Sequence, residues 1–409
     1  MIESEQYPLG SGGKSNPSLS KGLLFALALC AGAAVANLYY AQPLLALIGE
    51  SFDAPTRVGL IAMSTQIGYT LGILFILPLG DLVERKRLTL SLVAVLALST
   101  LACAFAPSVS MLALASVCVG IGATITQIMV PLAADLANEE QRGRAVGVVF
   151  SGILAGILLA RTVSGAIGQV LGWRLMFVIA SIAALALGVM PYTSLPRIEP
   201  KTSQRYTVLL GSLFRLLAQH PSLRTACMIQ ACLFAIFSAF WSILALLLSK
   251  APFSLGPAVA GGFGIVGLVG VGAANVSGRL LTRLGRNVVL RLGLACCVMA
   301  WGVFAMDVSL RGLIVGVLLL DFGLSIANVS NQTMILGLDE QARSRINTIY
   351  VTAIFLGGSV GSGAASMAWA YGGWPMVCAF GLGVAVLALG VHAYELIFAH
   401  RKPMNTLFD

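Results

Sequence analysis

Two ionisable side chains, Arg161 and Asp321, stand well inside long apolar stretches of this 409-residue chain. A charge at the centre of a bilayer costs about 2.5 to 3.5 kcal/mol on insertion scales, so such residues belong against a partner or a watery cavity. A carboxylate in that setting can take up and release a proton, and a guanidinium can hold the carboxylate or another anion. A second tier of amides and aromatics shares the apolar surroundings: Asn37, Tyr40 and Gln42, then Gln66 and Tyr69, Gln127, Trp241, and Asn328, Asn331 and Gln332. Asp321, Asn328 and Gln332 follow one another at spacings that place all three on one helical face. Interhelical hydrogen bonding accounts for any single amide of this kind, whereas the set suits a binding surface.

Other chemistries find no residues to carry them. The eight cysteines lie in apolar segments without the short-spaced pairs of metal or redox sites, and the three histidines are scattered. None of the Gly-rich stretches within the long apolar runs continues into Gly-Lys-Ser/Thr, so they do not resemble a phosphate-cradling loop, which points away from ATP as the energy source. No nucleophile–base pair stands out, so the chain reads as a non-enzyme that needs no cofactor.

The elements that position Arg161 and Asp321 follow from composition. Residues of the hydrophobic class make up 58% and charged residues 10%, against about a quarter charged in soluble domains, and the mean hydropathy is +0.92. A helix needs about 20 apolar residues to cross the hydrocarbon, and helices or closed barrels alone satisfy their backbone there. Twelve such runs are predicted, at 22–48, 58–80, 88–106, 110–134, 145–171 and 175–195, then 222–248, 257–280, 288–306, 311–335, 346–371 and 375–398. They are called spans one to twelve below. The first run is too long for a signal-peptide core and is expected to remain as an anchor. The domain reading is an N-terminal tail at 1–21, a six-helix bundle at 22–195, a linker at 196–221, a second bundle at 222–398 and a tail at 399–409.

Of the 25 basic residues, Arg57, Arg174, Lys250 and Arg311 fall on one side of this arrangement and Arg161 within it; the other 20 fall on the opposite side. Basic loops resist translocation, which predicts that both termini are cytoplasmic in a bacterial inner membrane. The same asymmetry accounts for the net charge of +9 without a nucleic-acid partner. At about 1.5 Å per residue, Arg161 and Asp321 come to similar depth, which permits pairing.

The halves repeat. Glu139-Glu140-Gln141-Arg142-Gly143-Arg144 after span four is echoed by Asp339-Glu340-Gln341-Ala342-Arg343-Ser344-Arg345 after span ten. Gly172-Trp173 recurs as Gly373-Trp374, Gly80-Asp81-Leu82 is echoed by Gly278-Arg279-Leu280, and Gln127 and Asn328 are equivalent at the same offset of 201. Parallel repeats of six helices imply two similar bundles about an axis normal to the membrane, with a site between them near mid-depth. Small residues recur in spans five, eight and eleven, for example Gly264, Gly267, Gly270 and Gly272, or Gly357, Gly358, Gly361 and Gly363, and let helices approach closely.

With these residues the chain resembles the major facilitator superfamily from about residue 22 to 398. The loop Gly80-Asp81-Leu82-Val83-Glu84-Arg85-Lys86-Arg87 is similar to that family's cytoplasmic signature, with Glu84 where the family usually has Asp and without its second Gly. Asn37-Leu38-Tyr39-Tyr40-Ala41-Gln42-Pro43 resembles the arabinose-efflux-like branch of drug/proton antiporters, although the Gly-Pro step common in span five of antiporters is absent after Gly165. The resemblance implies an all-α polytopic membrane protein with twelve helices in two pseudo-symmetric bundles. It further implies a secondary transporter exporting a small organic compound in exchange for protons, working as a monomer in lipid. A proton-coupled importer or facilitator is the alternative within transport, and a non-transporting sensor or scaffold the alternative outside it; the longest connection, about 25 residues, leaves little room for an output domain. In the family, spans one, four, seven and ten line the cavity, which implies a substrate and proton pathway of Arg161, Asp321, Asn37, Tyr40, Gln42, Gln66, Gln127, Trp241, Asn328 and Gln332. A cytoplasmic gate of Gly80, Asp81, Glu84, Arg85 and Arg87 is expected, with Glu84 docked on the start of span eleven near Ser344 to Asn347 and Arg85 paired with Asp135 or Glu139.

Overall fold

The computed structural model describes residues 20–195, 205–267 and 277–399. The elements are α1 (Lys21–Ala36), α2 (Leu45–Ser51), α3 (Gly59–Leu71), α4 (Arg85–Ala104), α5 (Val109–Ala123), α6 (Ile125–Leu136), α7 (Glu139–Leu171), α8 (Trp173–Ser194) and α9 (Tyr206–Gln219). They continue as α10 (Pro221–Ser249), α11 (Pro257–Val266), α12 (277–284), α13 (Arg286–Met306), α14 (Leu310–Leu336) and α15 (Arg343–Ala399). With no water in the hydrocarbon to take backbone hydrogen bonds, apolar runs of this length fold as helices.

Nine helical stretches among the described residues are long and apolar enough to cross a membrane. One of them, α15, breaks at Gly373 and supplies two spans. Span one is α1 continued through the 3-10 turn Gln42–Leu44 into α2, and span eight begins as α11 and ends as α12. Gly270 and Gly272, singled out by sequence, lie outside the described residues, as do the N-terminal tail to residue 19, 196–204 of the linker and the end of the C-terminal tail. Twelve spans fit.

Several spans are interrupted where sequence reading expects continuous helix. Span one opens after Ala36, and Pro43, which has no N–H and crowds the preceding turn, starts the 3-10 turn. Span two passes from α3 into a π turn at Gly72–Ile76 and a 3-10 turn at Leu77–Asp81 that contains Pro78. The linker carries a helix of its own, α9, with Leu213 and Leu216 buried.

The repeat read from sequence is visible in the backbone. Gly172 and Gly373 both take positive φ, 82° and 61°, a conformation that costs glycine least, and each turns the chain between adjacent spans. The tryptophan after each one anchors the turn, Trp173 Nε1 donating to Ser51 Oγ at 2.9 Å and Trp374 Nε1 to the Phe304 carbonyl at 2.9 Å. Within the first half α1 packs on α7 and α4 on α8; within the second, α10 packs on the first part of α15 and α13 on α15 and α14. The halves meet along two seams, α7 against α11 and α3 against α15. Glycines set these distances: Gly156 lies on Gly32 within the first bundle, and Gly357 and Gly361 lie on Ala231 and Ala235 within the second. Close approach supplies dispersion contacts where lipid offers no hydrophobic drive between helices.

Candidate functional site

The two seams lie toward one membrane face, the face opposite the loops that hold most of the basic residues. At the first, Thr162 Oγ1 donates to the Gly261 carbonyl at 3.2 Å, and the Ala258 N–H donates to Gln169 Oε1 at 3.1 Å. At the second, Gln66 Nε2 donates to Ser362 Oγ at 3.0 Å while Gln66 Oε1 accepts from Ser238 Oγ at 3.2 Å. Ser242 and Ser362 share a further hydrogen bond at 2.9 Å. One buried amide therefore ties span two to spans seven and eleven. Sequence reading named Gln66 but not Ser238, Ser242 or Ser362; the four-residue spacing of Ser238 and Ser242 was the signal available. A double-mutant cycle of Gln66→Leu and Ser362→Ala, read by thermal unfolding of the purified protein, is expected to give a coupling of about 0.6 to 1.7 kcal/mol, the range for interhelical hydrogen bonds in membrane proteins.

Toward the basic face the halves part around a cavity of about 660 Å³, within the range of small-molecule sites. Its walls combine Leu77, Ile128 and Phe150 with Gln127, Asn347 and Arg345. Gln127 Nε2 donates to the Tyr69 hydroxyl at 3.0 Å, and Tyr69 stacks edge-on against Phe355 of the other half, centroids 4.5 Å apart. The aromatic contacts continue through Phe234 and Phe237 to Trp241, linking the cavity wall to the buried charges.

Arg161 is 2% exposed. Its Nε donates to Gln42 Oε1 at 2.8 Å, and its guanidinium carbon lies 3.9 Å from the Trp241 ring centroid and 4.6 Å from that of Tyr39. Cation–π contacts of this desolvated kind are worth about 2 kcal/mol each. The break in span one makes the arrangement possible, because the turn that opens at Asn37 brings Gln42 to α7. Asp321 is buried too, 7% exposed, and sits against Gly267, whereas Gly264 lies against Arg161. The two charges thus flank neighbouring glycines of α11. The pairing that their depth permits is not made: no ion pair joins them among the described residues, and Arg161 Nη2 and Asp321 Oδ1 have no hydrogen-bond partner there.

The other expected residues separate into groups. Asn37 Nδ2 donates to the Ala33 carbonyl at 2.8 Å. Tyr40 lines an apolar groove between α1 and α7 rather than the central cavity. Asn328 accepts from the Tyr350 hydroxyl at 3.0 Å, and Gln332 Nε2 donates to Asn347 Oδ1 at 3.4 Å, so the polar face of α14 meets span eleven. In the loop after span two, Arg85 Nη1 meets Asp135 Oδ2 at 2.7 Å and its Nε donates to the Gly80 carbonyl at 3.2 Å. The docking expected of Glu84 on Ser344 to Asn347 is absent; its Oε2 meets Arg87 Nε at 2.9 Å, and the cavity separates the loop from span eleven. The reason is that the halves are apart on this face. The Asp81 side chain lies outside the described residues. Arg286, at the start of α13 as Arg85 is at the start of α4, meets Glu395 in the last span at 3.4 Å.

A helical pair of pseudo-symmetric bundles around a central cavity, with charges buried beyond its inner end, defines a membrane transport protein. A sequence model described as Major Facilitator Superfamily matches residues 24–362, and this chain belongs to that superfamily of membrane transporters. It is 36% identical over 389 residues to the "Uncharacterized transporter YgaY" of Escherichia coli, covering 93% of this chain and 99% of that protein. It is 34% identical to the "Probable transporter SCO4007" of Streptomyces coelicolor, covering 91% and 86% respectively. Among solved structures it is similar to a peptide transporter, POT, in complex with sulfate, with a TM-score of 0.75, 14% identity and 95% and 97% of the two chains covered. It is similar also to the nucleoside transporter NupG, with a TM-score of 0.71, 15% identity and 92% and 98% covered. At these identities the structures share the fold with this chain.

Proposed function

We propose that this transporter exports a small organic compound in exchange for protons by alternating access. The observation that carries the reading is a cavity walled by both halves, closed at its far end by polar seams beside two buried charges of opposite sign that form no ion pair among the described residues. The basic-loop asymmetry orients the cavity mouth toward the cytoplasm, with both termini on that side and the protein in a bacterial inner membrane. In this orientation the conformation described above is the one open to the inside.

The bundles 22–195 and 222–398 rock as units about the linker 196–221, as a monomer in lipid, driven by the proton gradient and without a cofactor. Breaking the seams at Gln66 and Gly261 and closing the cavity at the basic face would carry a bound compound outward. In that closed form Glu84 and Arg85 approach the start of span eleven, completing the gate. Asp321 is the proton carrier of the cycle: the proton neutralises its carboxylate on uptake, and Arg161 is the fixed positive charge that balances the carboxylate when the proton leaves. The cavity wall of Gln127 and Asn347, with apolar surface around them, supports a compound that is neither small and fully polar nor purely hydrocarbon.

Proton flux in proteoliposomes, measured with a panel of organic compounds, tests the reading. Wild type is expected to show proton movement opposite to that of at least one compound. Asp321→Asn is expected to lose the pH-gradient dependence while binding that compound within about threefold of wild type, the small change that goes with an intact site. Full proton-coupled flux in Asp321→Asn would remove Asp321 from the role, and movement of compound and protons in the same direction would favour an importer.

A further inference from the structure

Two apolar grooves lie on the lipid-facing sides of the bundles, and they are related by the internal repeat. One, about 510 Å³, lies between α1 and α7; the other, about 480 Å³, lies where α10 meets both spans of α15. Each is hollowed by small residues that bring the helices together, Gly32 with Gly156 in the first and Ala231 with Gly357 in the second. The second differs in charge: Arg224 lies at its basic-face end, whereas the residues lining the first include no cation.

We propose that the second groove is a binding site for an anionic phospholipid of the basic-face leaflet, its phosphate on Arg224 and one acyl chain along the groove. Length supports the fit, since Arg224 to Ala235 on α10 spans about 16 Å at the helical rise, close to half of a hydrocarbon core of about 30 Å. The lips are apolar and exposed, Met228 by 54% and Val360 by 60%, so a chain enters from the bilayer without opening the bundle. Arg224 is exposed, and its Nη1 donates to the Ala218 carbonyl at the end of α9 at 3.1 Å. That bond holds the guanidinium at headgroup level, and no acid among the described residues competes for it. Leu217 of α9 completes the wall, which places the lipid against the helix that joins the two halves. The site is independent of the cargo and of the direction of transport.

Native mass spectrometry of the purified full-length protein, delipidated and then given phosphatidylglycerol or phosphatidylcholine of identical chains, tests the site. Wild type is expected to retain phosphatidylglycerol about fivefold better, the worth of one arginine at an anionic surface. Arg224→Gln should equalise the two lipids, Val360→Trp should lower retention of both by filling the groove, and Val163→Trp in the other groove should leave the preference intact. Equal retention by wild type, or a preference that survives Arg224→Gln, would overturn the proposal.

Discussion

Arg161→Ala is expected to reduce transport by about 100-fold or more, while the protein still inserts and purifies as a folded species. The guanidinium is the single donor to Gln42 Oε1 in the described contacts and lies over Trp241, Tyr39 and Phe237, so its removal strips one buried acceptor and three ring faces of their partner. A buried hydrogen bond to a charged group is worth about 1.5 to 3 kcal/mol, enough to lose the local arrangement and not enough to unfold twelve spans. Arg161→Lys keeps the charge but cannot reach Gln42 and lie over Trp241 as a planar group; its expected flux is intermediate. Uptake and efflux in proteoliposomes decide the matter, and flux in Arg161→Ala within about threefold of wild type would reduce the residue to packing. The control is Gln42→Leu, which removes the acceptor and leaves the charge: it should lower flux less than Arg161→Ala does.

Gly261→Val carries the second large effect. A β-carbon at Gly261 runs into the Arg161 carbonyl oxygen, and one at Gly165 into that of Pro257, so both sides of the α7–α11 seam depend on bare backbone. Overpacking of this sort costs about 1 to 3 kcal/mol, roughly a 5- to 150-fold shift in the balance between forms with the seam shut and forms with it open. Spin-label distances between the ends of spans five and eight should lengthen, and transport should fall because the cycle cannot return to the closed seam. Gly262 on the same helix has open space where a side chain would go. Gly262→Val should leave both distance and flux near wild type, and equal behaviour of the two variants would remove the seam from the argument.

The two expectations rest on different kinds of information. That Arg161 needs buried partners was legible in the sequence because a charge in an apolar run is expensive whatever surrounds it. Its partner was not legible. Depth suggested Asp321, yet the guanidinium goes to Gln42, which Pro43 carries to α7 by interrupting span one. The seam was half legible: glycines in spans five, eight and eleven announced close packing, but spacing within one helix does not say which other helix it meets. Gln66 shows the same division, since the amide stood out in its apolar run while Ser238, Ser242 and Ser362 read as ordinary small residues. Tyr40 shows the same division: it stood out as an aromatic in span one, and only the packing shows that it rests against the cluster holding Tyr39 while lining the groove between α1 and α7.

Local physics accounts for what the chain alone determined: apolar runs of bilayer length must become helices, basic loops separate to one side, and a 201-residue repeat must yield two like bundles. Left-handed glycines at 172 and 373 belong to the same category, because each turn is set by its own few residues. What required the tertiary structure is every relation between spans, namely the Gln42 partner of Arg161, the gap that keeps Asp321 from it, the polar seams, and the side on which the cavity opens. Those relations depend on how two bundles rest against each other, and in a transporter more than one resting position has similar energy, so no single stretch of sequence can encode which contacts are made.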